Sequence, residues 1–297
     1  MKASMSRRRF IAGASAGLVA AMVESEAAPA RRGPRVCAFE KPLQFLSYSE
    51  VADTFAMLGF SGIEASVRAG GHVLPRNVED DLPTFLDALQ RRGLEITLIA
   101  TDINAVDSPR AETVLRTAAK LGIRRYRMQW YRYDLRKPIL PQLDALAAKL
   151  PPLVDLTREL GLTAVYQNHA GDDTVGAPVW DIYRLIKDFA ARTIGIGFDI
   201  RHATVEGGLS WPLQFKLVQS HLAVVYVKDF VWDKGQVKDV PLGEGQVDRK
   251  FFPMLRQTGF GGPVCLHVEY LEGRKNEDAI AHAFGKDLIT LQSLLKA

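Results

Sequence analysis

The chain has 297 residues, of which 47% are hydrophobic and 24% are charged, and its formal net charge is +4. This is an ordinary globular composition with enough apolar residues for one large core. Basic residues outnumber Glu24 and Glu26 in the first thirty positions, so the rest of the chain is closer to neutral. Its charges are scattered and form no basic stripe, which argues against a nucleic-acid partner.

Residues 1–30 have the layout of an export signal. Arg7, Arg8 and Phe10 precede an uncharged apolar run that reaches Val23, and a segment of small residues ends at Ala30. This layout predicts a cleaved secretory signal, and the arginine pair resembles a twin-arginine signal. The run of about 14 residues is shorter than the roughly 20 that span a bilayer, although an uncleaved anchor is the alternative. We therefore expect a periplasmic mature domain, residues 31–297, without a membrane partner.

Eight short runs rich in Val, Ile, Leu or aromatic residues predict strands, and longer amphipathic stretches between them predict helices. The predicted strands are residues 35–39, 62–66, 95–101, 125–130, 163–168, 194–199, 223–229 and 263–270. The predicted helices are residues 49–58, 79–92, 110–120, 142–160, 179–190, 211–220, 249–257 and 277–295.

Five joints between a helix and the next strand share one local pattern, a glycine followed by an apolar residue. The glycines are Gly59, Gly93, Gly122, Gly161 and Gly259. Each suits a left-handed helix C-cap, and the repetition indicates a repeated βα unit. Eight such units predict a single closed (β/α)8 TIM barrel. A doubly wound open sheet is the alternative, but the chain lacks the glycine-rich phosphate turn of that fold.

The two cysteines, Cys37 and Cys265, lie in the first and last predicted strands, which are neighbours in a closed barrel. A disulfide is conceivable in an oxidising compartment, but buried free thiols are favoured because cysteine is among the most buried residue types.

Polar residues gather where the predicted strands end, which is where such barrels do chemistry. Because side chains alternate along a strand, Tyr226 shares a face with Lys228, and His267 shares one with Glu269. A single residue of this kind is often a helix cap or a loop ion pair, whereas the collection predicts a site. The candidates are Glu64, Arg68, His72, Trp130, Gln167, Asn168, His169, Asp199, His202, Tyr226, Lys228, His267 and Glu269.

The order and spacing of several of these residues resemble the xylose isomerase-like TIM barrels, which include sugar phosphate isomerases and epimerases. The matching pieces are Gln167-Asn168-His169, Asp199-x-x-His202, Val227-Lys228-Asp229, the Leu242-Gly243-Glu244-Gly245 loop and Glu269. The resemblance covers essentially the whole mature chain. It implies carbohydrate metabolism, proton transfer next to a sugar carbonyl, and a small-molecule sugar as partner.

The resemblance also implies a metal site built from a Glu, an Asp, a His and a second Glu on strands five to eight. The corresponding residues here are Gln167, Asp199, Tyr226 and Glu269, so two of the four ligands are replaced. Asp199 and Glu269 are the expected ligands of one divalent ion (Mn, Mg or Zn). Three alternatives stay open. The ion is held by a rebuilt set, it is absent and positive side chains stabilise an enediolate, or the site only binds sugar. Candidates for the rebuilt set are His72, His169, His202, His267 and Glu64.

The family chemistry needs a base at carbon and a group that holds the developing oxyanion. Glu269 is the first candidate for the base and Lys228 for the electrostatic partner, with an ion pair to Asp229 or Asp199 as the other interpretation of that lysine. Candidates for the remaining catalytic roles are His202, His169, Glu64 and His72. Candidates for substrate binding are Arg68, which suits a carboxylate or phosphate, and Trp130, Gln167, Asn168, Tyr226 and His267.

An exported enzyme rarely meets sugar phosphates, so a free sugar, keto-sugar, glycoside or sugar acid is expected. The first hypothesis is a sugar isomerase or epimerase. The second is a lyase or hydrolase that opens a 3-keto-glycoside by elimination, using the same base. The third is a non-catalytic carbohydrate-binding protein.

Overall fold

The computed structural model describes residues 35–296. The predicted export signal, residues 1–30, lies outside this range. Among the described residues, no helix combines the length and the apolar character that a membrane span requires.

Eight parallel strands close into a barrel, as predicted. Each barrel strand pairs with the barrel strands before and after it along the chain. The eighth barrel strand closes the barrel by pairing with both the seventh and the first. An antiparallel hairpin, which the sequence patterns did not predict, is inserted after the seventh strand. The barrel strands are β1 (Val36–Phe39), β2 (Gly62–Val67), β3 (Glu95–Thr101), β4 (Arg125–Arg127), β5 (Thr163–Gln167), β6 (Ile194–Asp199), β7 (Leu222–Val227) and β10 (Val264–Leu266), and the hairpin strands are β8 (Asp229–Asp233) and β9 (Gln236–Val240).

Helices follow the strands around the barrel. All five predicted glycine joints have a positive φ, between 63° at Gly161 and 82° at Gly59, as a left-handed C-cap requires. The first helix begins at a capping box formed by Ser47 and Glu50. The α-helices of the described range are α1 (Tyr48–Leu58), α2 (Val78–Gln90), α3 (Ala111–Lys120), α4 (Ile139–Glu159), α5 (Trp180–Ile186), α6 (Ile200–Gly207), α7 (Trp211–Val218), α8 (Phe251–Gln257) and α9 (Glu277–Lys296).

The barrel interior is filled by a small cluster of side chains that is separate from the larger core beneath the helices. Its members are Cys37, Phe39, Leu98, Ala100, Val165, Val224, Tyr226 and Cys265. Cys37 and Cys265 are register partners on β1 and β10, and both are buried free thiols, as favoured from the sequence. The interior is thus a packed floor, and the polar residues lie above it.

The seventh and eighth predicted strands end earlier than expected, and the cause at the seventh is Asp229. The Asp229 carboxylate accepts hydrogen bonds from four backbone N–H groups, those of Phe230, Gly243, Gly245 and Val247. These bonds turn the chain out of the barrel at Val227 and hold the Leu242–Gly245 loop against the start of β8. The eighth strand is only Val264–Leu266, so His267 and Glu269 follow it in an extended segment.

Candidate active site

Seven polar side chains form a closed ring near the C-terminal ends of the barrel strands, and we call it the polar ring. Each member contacts the next, in the order Glu64, Arg127, Gln167, Asp199, Lys228, Glu269 and His267. His267 Nε2 lies 3.2 Å from Glu64 Oε2 and closes the circle. The members are buried except Glu269, whose side chain is 23% exposed.

Arg127 and Gln167 connect the two acidic sides of the ring. Arg127 Nε lies 2.8 Å from Glu64 Oε1, and its Nη1 donates to Gln167 Oε1 at 2.6 Å. Gln167 Nε2 donates to Asp199 Oδ2 at 2.8 Å. A guanidinium only donates and a carboxylate only accepts, so these partners fix the orientation of the amide. Arg127 was missed from the sequence, although its alternation with the buried Tyr126 could have revealed it.

Lys228 joins the other two carboxylates. Its Nζ lies 2.6 Å from Glu269 Oε2 and 3.7 Å from Asp199 Oδ2. Burial acts to lower the pKa of Lys228, but Glu269 and Asp199 outweigh burial and raise that pKa above its ordinary value. Burial acts to raise the pKa of Glu269, but Lys228 and then His267 hold it well below its usual range. Lys228 is therefore an ammonium and Glu269 a carboxylate at neutral pH.

Glu64 is fully buried within the ring. Besides Arg127 and His267, it accepts a hydrogen bond from Cys265 Sγ at 3.3 Å. Burial acts to raise the pKa of Glu64, but Arg127 and His267 hold it below its ordinary value. Glu64, Cys265 and His267 have ligand atoms within 4.8 Å of one another. However, burial raises the pKa of the Cys265 thiol well above its usual range, so the thiol stays protonated and donates to Glu64.

Two neutral histidines pack against each other beside the ring, with their planes tilted by 38°. The rings of His169 and His202 are 3.9 Å apart, and Trp130 packs on His169 at 4.1 Å. Burial and then the Lys228 charge lower the pKa of His169 to about 4 and lower that of His202 well below its usual value. His169 Nδ1 donates to the Ala170 carbonyl at 2.8 Å, which leaves its Nε2 without a hydrogen.

His202 has the opposite tautomer. Arg201 Nη1 lies 3.0 Å from His202 Nδ1 and can only donate, so the imidazole hydrogen is on Nε2. That nitrogen lies 3.5 Å from Asp199 Oδ2. His202 therefore presents a donor towards the ring, whereas His169 keeps an acceptor.

The remaining predicted residues are not members of the ring, and their roles stay predictions. Asn168 donates to the carbonyl of Asp199 and accepts its N–H, so it positions that residue. Tyr226 is buried in the barrel floor, and its hydroxyl has no hydrogen-bond partner among the described residues. His72 lies apart from the ring, with Nε2 3.0 Å from the Leu46 carbonyl and Nδ1 3.4 Å from Glu40.

Arg68 packs near the ring rather than within it. Its guanidinium lies 5.6 Å from the centre of the Phe39 ring, and that of Arg127 lies 4.8 Å from the same ring. The structure thus brings Arg68 to the edge of the site, where its predicted contact with an anionic group of a substrate is untested.

A cleft of about 430 Å³ opens beside the ring, and Glu269 lines it. This volume suits a small molecule. The other polar lining residues come from loops that the sequence patterns did not single out. They are Lys41, Gln44, Glu272, Arg274 and Lys275.

The residues at the expected metal position do not fit a divalent ion. Gln167 Oε1 is taken by Arg127, and Asp199 Oδ2 by Gln167 and Lys228, while Asp199 Oδ1 accepts the N–H of His202. Lys228 also holds Glu269. Burial raises the pKa of Tyr226 well above its ordinary value, so its phenol is neutral and a poor ligand.

Three solved structures show the same fold. The probable 3-DHS dehydratase of petrobactin synthesis from Bacillus anthracis has a TM-score of 0.67 at 14% identity, over 87% of this chain and 98% of that one. D-psicose 3-epimerase from Clostridium cellulolyticum, solved with D-tagatose, has a TM-score of 0.66 at 13% identity, over 88% and 99%. The 3-keto-D-glucoside 4-epimerase from E. coli has a TM-score of 0.64 at 16% identity, over 88% and 99%.

At these identities the structural likeness establishes the fold. Two of the three neighbours are named as sugar epimerases. No curated protein is similar enough in sequence to count as a relative. The family described as "Xylose isomerase-like TIM barrel" matches residues 52–286, well over half of the chain. The chain therefore belongs to the xylose isomerase-like TIM barrel family.

Proposed function

We propose that this protein is a sugar isomerase or epimerase that moves a proton at a carbon next to a carbonyl. The observation that carries the proposal is the contact between Glu269 and Lys228 at the edge of the cleft. It places a carboxylate base 2.6 Å from an ammonium, and the carboxylate reaches the cleft. Enolisation of a sugar needs such a base together with a positive charge for the oxyanion.

In the proposed step, Glu269 takes the proton as the C–H bond breaks. The electron pair of that bond forms the C=C bond of an enediolate, and the carbonyl π pair moves onto oxygen, where Lys228 stabilises it. Return of the proton from Glu269 to the neighbouring carbon, with passage of the hydroxyl proton to the former carbonyl oxygen, gives an isomer. Delivery of a different proton to the opposite face of the original carbon, while Glu269 keeps the first one, gives an epimer. As Lys228 turns to the oxyanion, its hold on Glu269 weakens, which makes the carboxylate a stronger base during the transfer.

His169 supplies a second group that takes part in proton transfer. Its hydrogen-free Nε2 accepts a hydrogen bond from a substrate hydroxyl, and its low pKa keeps the nitrogen free of a proton at neutral pH. Trp130, which packs on His169 at a tilt of 43°, is the aromatic surface that we assign to packing against a sugar ring.

The proposed substrate is a free sugar or keto-sugar outside the cytoplasm. The export-signal layout of residues 1–30 supports this location. Phosphorylated sugars are rare outside the cytoplasm, so the proposed substrate carries no phosphate. The epimerases of similar fold, named for psicose and for 3-keto-glucoside, support the substrate class.

The test is hydrogen exchange in D2O with a panel of ketoses and 3-keto-glycosides, followed by NMR. We expect deuterium at the carbon next to the carbonyl and an isomeric product of unchanged composition. Glu269→Gln should lower the exchange rate by about a hundredfold or more. Glu272→Gln is the matched control, because Glu272 lines the same cleft but pairs with Lys41.

Three results would contradict the proposal. Release of an aglycone would indicate a 3-keto-glycoside lyase or hydrolase instead. Sugar binding without exchange would indicate a carbohydrate-binding protein. Equal loss of exchange in both variants would remove Glu269 from the role of base.

A further inference from the structure

The polar ring contains a cation beside the two carboxylates that the resemblance assigns to a metal. Asp199 and Glu269 survive at those positions, whereas Gln167 and Tyr226 replace the other two ligands. Lys228 Nζ contacts both surviving carboxylates, at 3.7 Å and 2.6 Å. Lys228 belongs to the shared pattern, whereas the two replaced ligands do not, so this chain keeps the cation of the site and loses half of the metal ligands.

We propose that the polar ring, in which Gln167 and Tyr226 replace two ligands and Lys228 holds both remaining carboxylates, excludes a divalent ion, so that the reaction is metal-independent. The proposal rests on the proposed function for its chemistry. Its structural content, the exclusion of a divalent ion, stands on the contacts of the ring.

The charges of the ring are already nearly balanced. Glu64, Asp199 and Glu269 bring three negative charges, and Arg127 and Lys228 bring two positive ones. A divalent ion next to Asp199 and Glu269 would change the net charge of the ring from negative to positive. It would also lie close to the Lys228 ammonium, which would repel it. Since all these groups are buried or nearly so, water would screen that repulsion weakly.

The two replaced residues suit this arrangement in different ways. Gln167 accepts from Arg127 and donates to Asp199, a bridge that a glutamate could not make because it has no N–H to offer. Tyr226 fills the barrel floor beneath the ring, and its ring lies against Gly197. Neither side chain is free to turn towards an ion without breaking these contacts.

The first test uses the unaltered protein and Mn2+ alone, purified without chelator. Electron paramagnetic resonance of the remaining free Mn2+ reports binding without any substrate. We expect no stoichiometric binding, and D2O exchange that neither EDTA nor added Mn2+ changes. One equivalent of bound Mn2+ that disappears in Asp199→Asn would overturn the proposal.

The second test rebuilds the ligand set. The triple variant Gln167→Glu, Tyr226→His, Lys228→Leu carries Glu, Asp, His and Glu at the four positions, and we expect it to bind one Mn2+. The matched double variant, Gln167→Glu with Tyr226→His, keeps the lysine and should bind at least about tenfold more weakly. Equal binding by both would show that the ammonium does not exclude the ion. Circular dichroism checks folding, and the first test does not depend on either variant.

The two proposals fail in different experiments. If the protein binds Mn2+, the metal proposal fails, but deuterium exchange at the substrate carbon and its dependence on Glu269 are unaffected. Failure to find exchange leaves the Mn2+ result as it was, because that measurement involves no substrate.

Discussion

Lys228 and Glu269 form an ion pair across the boundary between the buried ring and the open cleft. Their charged atoms are 2.6 Å apart, yet the lysine side chain is 4% exposed and that of the glutamate is 23% exposed. Removing one partner of such a pair strands the other charge away from water. The pair therefore bears on the stability of the fold as well as on the proposed chemistry.

The first prediction concerns this coupling. Lys228→Met should lower the free energy of unfolding by about 3 kcal/mol, because it leaves Asp199 and Glu269 close together without their cation. The double variant with Glu269→Gln should lose less than the sum of the two single variants, with a coupling of roughly 2 kcal/mol. Urea unfolding of the unaltered protein, the two single variants and the double variant measures this coupling energy. Strict additivity would show that the pair is not coupled.

The second prediction concerns the packing of the barrel floor. A Cβ at Gly197 would overlap Tyr226 Cε2 and would lie 2.9 Å from Val165 Cγ1. Gly197→Ala should therefore lower the free energy of unfolding by about 1–3 kcal/mol. Gly261→Ala is the control, since no atom lies within 4 Å of a Cβ there. Equal thermal denaturation of both variants would contradict this account of the floor.

The third prediction concerns Asp229. Its carboxylate accepts four backbone N–H groups, and an amide would replace one acceptor oxygen with a donor. Asp229→Asn should cost about 2 kcal/mol of unfolding free energy and speed amide exchange at Gly243, Gly245 and Val247. Asp233→Asn, at the exposed tip of the hairpin, should change neither quantity. Unaltered exchange at the three amides would show that the loop does not depend on the carboxylate.

The fourth prediction concerns pH. Burial raises the pKa of Asp287 on α9 to about 6, from 3.8 for an ordinary aspartate. The folded state holds this proton more tightly, so the resulting stability is complete below about pH 4 and is lost as the pH rises towards 6. Asp287→Asn keeps the acceptor for Leu242 N–H but has no proton to lose.

The stability of Asp287→Asn relative to the unaltered protein should therefore increase between about pH 4 and about pH 7, by up to about 3 kcal/mol. Urea unfolding of both proteins across this range gives the difference directly. A difference that stays flat with pH would mean that Asp287 does not titrate in this range in the folded state.

The fold could be predicted because its signals are local. Each βα unit carries its own apolar run and amphipathic stretch, and five units end at a glycine with positive φ. The position of the site followed from the same topology, since strand ends in a closed barrel converge. Helix α6 and the β8–β9 hairpin were missed because Asp199 and Asp229, which begin them, resemble ordinary residues at the end of a strand.

The partners within the site could not be predicted because they depend on position around the barrel. Glu64 meets His267 across 203 residues of chain, and Arg127 meets Gln167 across 40. The sequence left Lys228 with either Asp199 or Asp229 as an ion-pair partner. The structure pairs it with Asp199 and Glu269, because the backbone N–H groups around β8 occupy Asp229.

The β8–β9 hairpin reaches the imidazole of His202 through a single side chain. Asp239 on β9 accepts from Arg201 Nη2 at 2.6 Å, and Arg201 Nη1 is the donor that leaves the His202 hydrogen on Nε2. The hairpin thus helps to orient the guanidinium that faces the buried imidazole. The hairpin therefore influences a buried acid–base group through one ion pair, from outside the strands of the barrel.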